Sequence, residues 1–409
     1  MTHLRVQPCV ANRKSSIALA VLLSVHLGCS RGSDFDPPAV AGAMAPALAS
    51  AGDQGILLTW LEPSNSKPSD GDRSRMLRFS SLRGNDWSAP VTLSVGSSFF
   101  ANWADVPGAV RSSDGNIFVH WLEKLGDATY AYGVQLTLST DDGESWEPIG
   151  LLHDDASPVE HGFVSWVPVA GGVRAFWLDG REMAPSKGGP MQLRTAVVTD
   201  SGVPQTSILL DDRVCECCST DAALTRAGPV VVYRDRSDNE IRDIALIRQT
   251  DSGWSDPAIV GSDGWEINGC PVNGPAVAAA KEDVAVAWFT AAEGKSQVQV
   301  ALSEDGGRSF ATPHVVDEFL PMGRVDVALD SEGTAWVLWM ARAGEVRLQS
   351  VIAGGPQGEA LSIDTISATR ASGFPKLIAD SDNLLLVWRN DGTLRASRVP
   401  LLGISETRH

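Results

Sequence analysis

Four cysteines mark the place where chemistry is to be sought. Cys215-Glu216-Cys217-Cys218 and Cys270-Pro271-Val272-Asn273-Gly274-Pro275 hold every cysteine of the chain apart from Cys9 and Cys29. Thiolates are soft ligands, and three or four of them in a small volume suit Cu(I) or Zn²⁺. In an oxidising compartment the same residues close disulfides. A bond between the neighbours Cys217 and Cys218 strains the chain, so Cys215 or Cys217 is the partner expected for Cys270. Redox cycling is the third chemistry open to Cys-x-Cys and Cys-x-x-Cys pairs. The spacing matches no common zinc module, and all three readings stand. His161 and Met322 are further donors placed to reach the same point.

Next to the first group runs Tyr233-Arg234-Asp235-Arg236-Ser237-Asp238-Asn239-Glu240-Ile241-Arg242-Asp243, in which charges of both signs interleave. A solvated ion-pair network is the plain account. The functional one is a surface that grips a glycan or small anionic ligand through bidentate guanidiniums, with Arg181, Arg234, Arg236, Arg242 and Arg324 as candidates. Glycoside hydrolysis would need two carboxyls, or a tyrosine nucleophile, around the scissile bond. Asp179, Tyr233 and Asp235 are the candidates for it.

Positioning these residues falls to a repeat. An apolar strand ending in an aromatic recurs at Trp60, Trp121, Trp177, Tyr233, Trp288, Trp339 and Trp388, at intervals of 61, 56, 56, 55, 51 and 49 residues. Four short strands per interval is the period of a propeller blade, and no segment after Leu27 keeps a helical period. The expected fold is an all-β propeller of four-stranded blades spanning residues 40–402, seven by count, with six plus an appended unit as the alternative. The last unit shows three strands and is expected to borrow one from the N-terminus, which would remove exposed sheet edges. The repeated aromatics read as packing between blades, and Tyr233 reads so as well.

Ser139-Thr140-Asp141-Asp142-Gly143-Glu144-Ser145-Trp146 and Ser303-Glu304-Asp305-Gly306-Gly307-Arg308-Ser309-Phe310 match the Asp-box, Ser-x-Asp-x-Gly-x-Ser/Thr-aromatic. Weaker echoes end at Trp87 and Trp254. With these motifs most of the mature chain resembles the sialidase-like (BNR, or Asp-box) propellers. The resemblance implies that the boxes lie between third and fourth strands, away from any active site, with Ser139, Asp141, Gly143 and Trp146 and Ser303, Asp305, Gly307 and Phe310 in structural roles. It also implies three arginines for a substrate carboxylate, a Tyr–Glu nucleophile pair and an acid. No Arg-Ile-Pro-like motif occurs near the first blade, and only Tyr130, Tyr132 and Tyr233 are available.

Propeller connectivity sorts the loops. The loop leading into each blade and the loop after each core aromatic share one face, which therefore receives both cysteine segments. Two positions past the aromatics stand Glu62, Glu123, Asp179 and Asp235, an acidic arc on that face.

Export is read from the N-terminus. Arg5, Arg13 and Lys14 precede a short apolar run, Ile17 to Leu27, and Gly28-Cys29 follows. This resembles a bacterial lipoprotein signal over residues 1–28, with Cys29 acylated, His26 standing where Leu is usual, a tether over 29–39 and a tail over 403–409. The expected location is the outer membrane, cell surface or periplasm, with plain secretion as the alternative. A formal charge of −17, from 33 basic and 50 acidic side chains, sets nucleic acid and anionic lipid aside as partners and leaves the lipid anchor as the membrane contact. Oligomeric state is left open.

Overall fold

The computed structural model describes residues 35–64 and 74–401. The segment read as an export signal, Cys9, Cys29 and the tail lie outside the described residues, as does most of the loop after Glu62. Seven antiparallel sheets follow one another along the chain. Their innermost strands are Met44–Ser50, Gly108–Arg111, His161–Val169, Asp221–Thr225, Ala276–Ala280, Gly323–Leu329 and Lys376–Asp380. Together they surround a central channel of about 750 Å³. The chain is a seven-bladed β-propeller.

Apolar side chains on both faces of every sheet force this closure, because each face must find a neighbour. The core is accordingly divided into seven seams, one between each pair of adjacent blades. Trp177 packs with Phe118, Val134 and Leu136 of the second blade. Trp339 packs with Ala287, Val298 and Val300 of the fifth. Trp60 packs with Leu385 and Val387 of the seventh, which closes the ring.

Each buried indole also needs an acceptor. Trp288, Trp339 and Trp388 donate to Asp263, Asp317 and Asp364, contributed by the preceding blade, at 2.7, 2.7 and 2.8 Å. Trp60 and Trp177 instead use Glu62 and Asp179, two positions on, at 3.0 and 2.8 Å. Trp121 Nε1 is buried with no partner among the described residues. Two members of the acidic arc are thus indole acceptors within the blades.

The seventh blade has three strands, Lys376–Asp380, Asn383–Asn390 and Thr393–Pro400. Among the described residues the expected fourth, borrowed from the N-terminus, does not form. Residues 35–43 run beside the blade and tie to it at single points. Asp36 accepts from the Ala396 amide (3.0 Å) and from Arg395, and Gly42 donates to Gly392 O (2.7 Å). Pro37 and Pro38 explain this, since neither has an amide to give to a ladder.

Both Asp-boxes lie between third and fourth strands. Asp141 Oδ1 takes the Ser145 amide and Ser139 Oγ at 2.8 Å each, while Ser139 Oγ takes the Gly143 amide at 2.8 Å. Ser303, Asp305, Gly307 and Ser309 repeat the pattern. Gly143 has φ +93°, and a Cβ there would meet the Phe79 ring at 2.9 Å, so the turn can press on the preceding blade. Trp146 follows, edge-on to Phe79 at 5.0 Å.

Candidate functional site

The loop of Cys215–Cys218 is held by its backbone. Cys215 N donates to Arg234 O (3.0 Å), and Val214 bridges Asp235 at the end of the fourth blade's second strand. The loop of Cys270–Pro275 lies directly against it. A Cβ on Gly274 would sit 2.1 Å from Ser219 O, so only glycine permits the approach. Cys217 and Cys270 form a disulfide with a Cα–Cα distance of 5.9 Å. Of the two partners expected for Cys270, the structure takes Cys217.

Cys215 and Cys218 stay free and buried. The sulfurs of Cys215, Cys217 and Cys218 lie within 4.8 Å of one another, a spacing that admits one metal ion. Burial opposes ionisation of Cys215, but a hydrogen bond from Cys218, the Cys217 amide and the guanidiniums of Arg234 and Arg242 pull its thiol down to about 7. Cys218 moves the other way, raised by burial and by Cys215.

The charged run beside the cysteines closes on itself. Arg242 reaches Glu216 and Glu240 at 2.8 Å each and Cys215 Sγ at 3.4 Å. Arg236 binds Glu240 at 2.7 Å and also Glu216. Burial alone would lower Arg242, yet Glu240, Cys215 and Glu216 together raise it. Arg234 meets carbonyls only: Asn273 O (3.0 and 2.9 Å), Arg242 O (2.6 Å) and Phe289 O (2.7 Å), with its guanidinium 4.9 Å from the Trp265 ring. It stitches the fourth and fifth blades together.

Of the residues named for hydrolysis, Tyr233 is buried and its hydroxyl donates to Asp211. Asp179 is buried between Trp177 and Arg181, whose Nε and Nη2 both lie 2.8 Å away. Asp235 is partly buried, and burial, with Asp211 and Asp243 nearby, raises it to about 6. Arg181 also reaches Asp154 at 2.8 Å. Among the described residues no hydrogen bond joins Asp179 to Tyr233 or Asp235. Arg234 and Arg324 are held by backbone carbonyls, and Arg242 by Glu216 and Glu240.

His161 belongs to a second group, with Asp155 (3.2 Å) and Asp179 (3.6 Å), apart from the sulfurs. Its Nδ1 faces Val159 O at 3.2 Å, so both ring nitrogens face oxygens. His153 stacks on it at 3.9 Å and is lowered to about 4 by burial and by His161. Met322 packs into the seam between the sixth and seventh blades.

Residues not singled out from sequence complete the face. Tyr132 Oη lies 3.0 Å from Asp105 Oδ2 and 2.7 Å from Glu160 Oε1. One hydroxyl proton cannot be given to both carboxylates at once. Burial pushes Asp105 up to about 8 and Glu160 to about 7, the latter with help from Glu216 and Cys215. Asp105 also takes the Phe163 amide at 2.8 Å, and Gly162 is required because a Cβ there would strike Asp105. A polar residue in a loop leading into a blade, as in Asn102-Trp103-Ala104-Asp105, is the signal that sequence offered.

An ulvan lyase aligns at 11% identity over 91% of this chain and 98% of its own, with a TM-score of 0.53. The likeness is one of fold. A puromycin-hydrolysing peptidase of Mycobacterium tuberculosis aligns at 13% identity and TM-score 0.53, over 88% of this chain and 52% of its own, so this chain spans about half of it. A Hadza microbial sialidase aligns at 16% identity over 80% and 74%, with a TM-score of 0.46. No family model matches the chain, and no curated protein sequence matches it.

Proposed function

We propose that this is a cell-envelope propeller, exported and lipid-anchored through Cys29, that binds a soft metal ion at its cysteine-bearing face. The observation that carries the reading is the convergence of three sulfurs within 4.8 Å, two of them buried free thiols. Arg234 and Arg242 favour the thiolate of Cys215, the form that ligates. With Cys217 bonded to Cys270, Cys215 and Cys218 supply two soft donors, a set that suits Cu(I). Reduction of the disulfide by an external dithiol, itself oxidised to a disulfide, would add the thiols of Cys217 and Cys270 and bring the set to the four sulfurs that suit Zn²⁺.

Anaerobically purified protein reconstituted with Cu(I) is expected to retain a stoichiometric ion through desalting, and a Cys215→Ser/Cys218→Ser variant to retain none. Equal retention by both proteins, or by neither, defeats the proposal.

A second reading, a sialidase-type or other glycoside hydrolase acting on surface glycans, is favoured by Tyr132 held between two carboxyls. The ulvan lyase with this fold is bound to –[GlcA(1-4)Rha3S]–, which supports a glycan as ligand. Turnover of a fluorogenic sialoside or glucuronide separates this reading from the first.

A further inference from the structure

Arg324 opens the innermost strand of the sixth blade at a β-bulge, with φ +52°. The same bulge recurs in the first and third blades, where Ala45 (φ +56°) and Phe163 (φ +54°) occupy it. The ring therefore does not require a guanidinium at this position. Arg324 is nonetheless 5% exposed. Its Nη1 donates to Gly373 O (2.9 Å) and Thr369 O (3.1 Å) of the loop leading into the seventh blade, and meets Met340 Sδ at 3.4 Å.

That same loop carries Arg370, which is exposed. The two guanidiniums share the Trp103 ring, at 4.8 and 5.8 Å from its centroid. Trp103 stacks on Phe374 at 5.7 Å and 19°, and Lys376 Nζ stands 5.9 Å from the Phe374 ring. A ladder of cations and aromatics thus descends from the face into the channel, which Phe374 and Lys376 line. Burial, and after it the like charge of Arg370, lowers the Arg324 guanidinium to about 10, and no acid among the described residues offsets this. A buried cation without a counter-charge is costly. It is the more notable in a chain with 50 acidic side chains against 33 basic ones.

We propose that Arg324 and Arg370 form an anion site at the mouth of the central channel, which takes a small ligand bearing a carboxylate or sulfate group. The anion supplies the missing counter-charge, and the planar guanidiniums meet its oxygens as paired donors. Trp103 and Phe374 give the pair a rigid backing. The Arg324 amide donates to Asn273 Oδ1 of the Cys270 loop (2.8 Å), but the site does not depend on a metal at the cysteines.

Calorimetric titration of the purified chain with sodium glucuronate and with sodium sulfate, at constant ionic strength set by sodium chloride, tests it. Saturable binding of at least one of the two is expected, and the stronger one identifies the ligand group. Arg370→Ala, a change at an exposed position, is expected to weaken that binding at least tenfold. Arg370→Lys should retain part of it. Arg324→Met should abolish it, and in the absence of anion neither Arg370 variant should melt below the wild type in low salt. No saturable binding beyond chloride, or binding unchanged in Arg370→Ala, overturns the proposal.

Discussion

Carboxylates at the two ends of the ring are treated in opposite ways. At the box end, Asp141 and Asp305 face water, and each is met by hydroxyls and amides of its own turn. Ser145 and Ser139 hold Asp141 down to about 2, and Ser309 leads the same effect on Asp305. At the cysteine end, Asp105 and Glu160 are withdrawn from water and pushed up to about 8 and 7. The first arrangement is complete within eight residues and leaves nothing to bind. The second gathers groups from several blades and leaves carboxyls raised by burial, free thiols and a cation without a counter-charge. Satisfied local geometry marks architecture in this molecule, and unsatisfied buried groups mark the face to test.

Three measurements would sharpen or break that contrast. Cys217→Ser should have the largest effect, because it opens a crosslink between residues 53 apart in sequence. Loss of such a disulfide costs about 2–5 kcal/mol, read as a lower denaturant midpoint. A midpoint equal to that of the wild type would mean that packing alone holds the two cysteine loops together.

The second is a dependence on pH. Asp105 keeps its proton up to about 8 when folded and up to about 4 when unfolded, so the folded chain holds more protons in between. Its contribution to stability is therefore full below about 4 and is lost as pH rises toward 8. Asp105→Asn should reduce the fall of the melting temperature across that window, with Glu160 and Asp221 contributing the same sign over a narrower range that ends near 7. An unchanged profile would place Asp105 in water and dissolve the contrast.

The smallest effect belongs to the box end. Asp305→Ala removes acceptors for the amides of Arg308 and Ser309, in a turn open to solvent. It should cost about 1 kcal/mol and leave ligand and metal binding untouched, since water replaces the lost partners. A change in either binding would join the two ends functionally.

The candidate site was partly legible in the sequence. The loops of Cys215 and Cys270 could be brought together because blade connectivity assigns them to one face, and their disulfide shows that they meet. Two members of the acidic arc also have a structural task. Glu62 and Asp179 satisfy Trp60 and Trp177, a need visible only once those indoles are buried. Asp105, Tyr132 and Glu160 carried no motif, since their relation exists only across the seam between blades.

The sequence by itself determined the fold, the strand-ending aromatics, the position of the boxes and the face on which thiols gather. All of these follow from periodic apolar patterning and local turn chemistry, which act over one blade. The tertiary structure alone decided which cysteine closes the crosslink, which acids cap indoles of the next blade, and where Arg324 and Arg370 come to share one ring. Those outcomes depend on distances between segments far apart in the chain, and on burial that changes the cost of a charge. Neither is written in the spacing of residues.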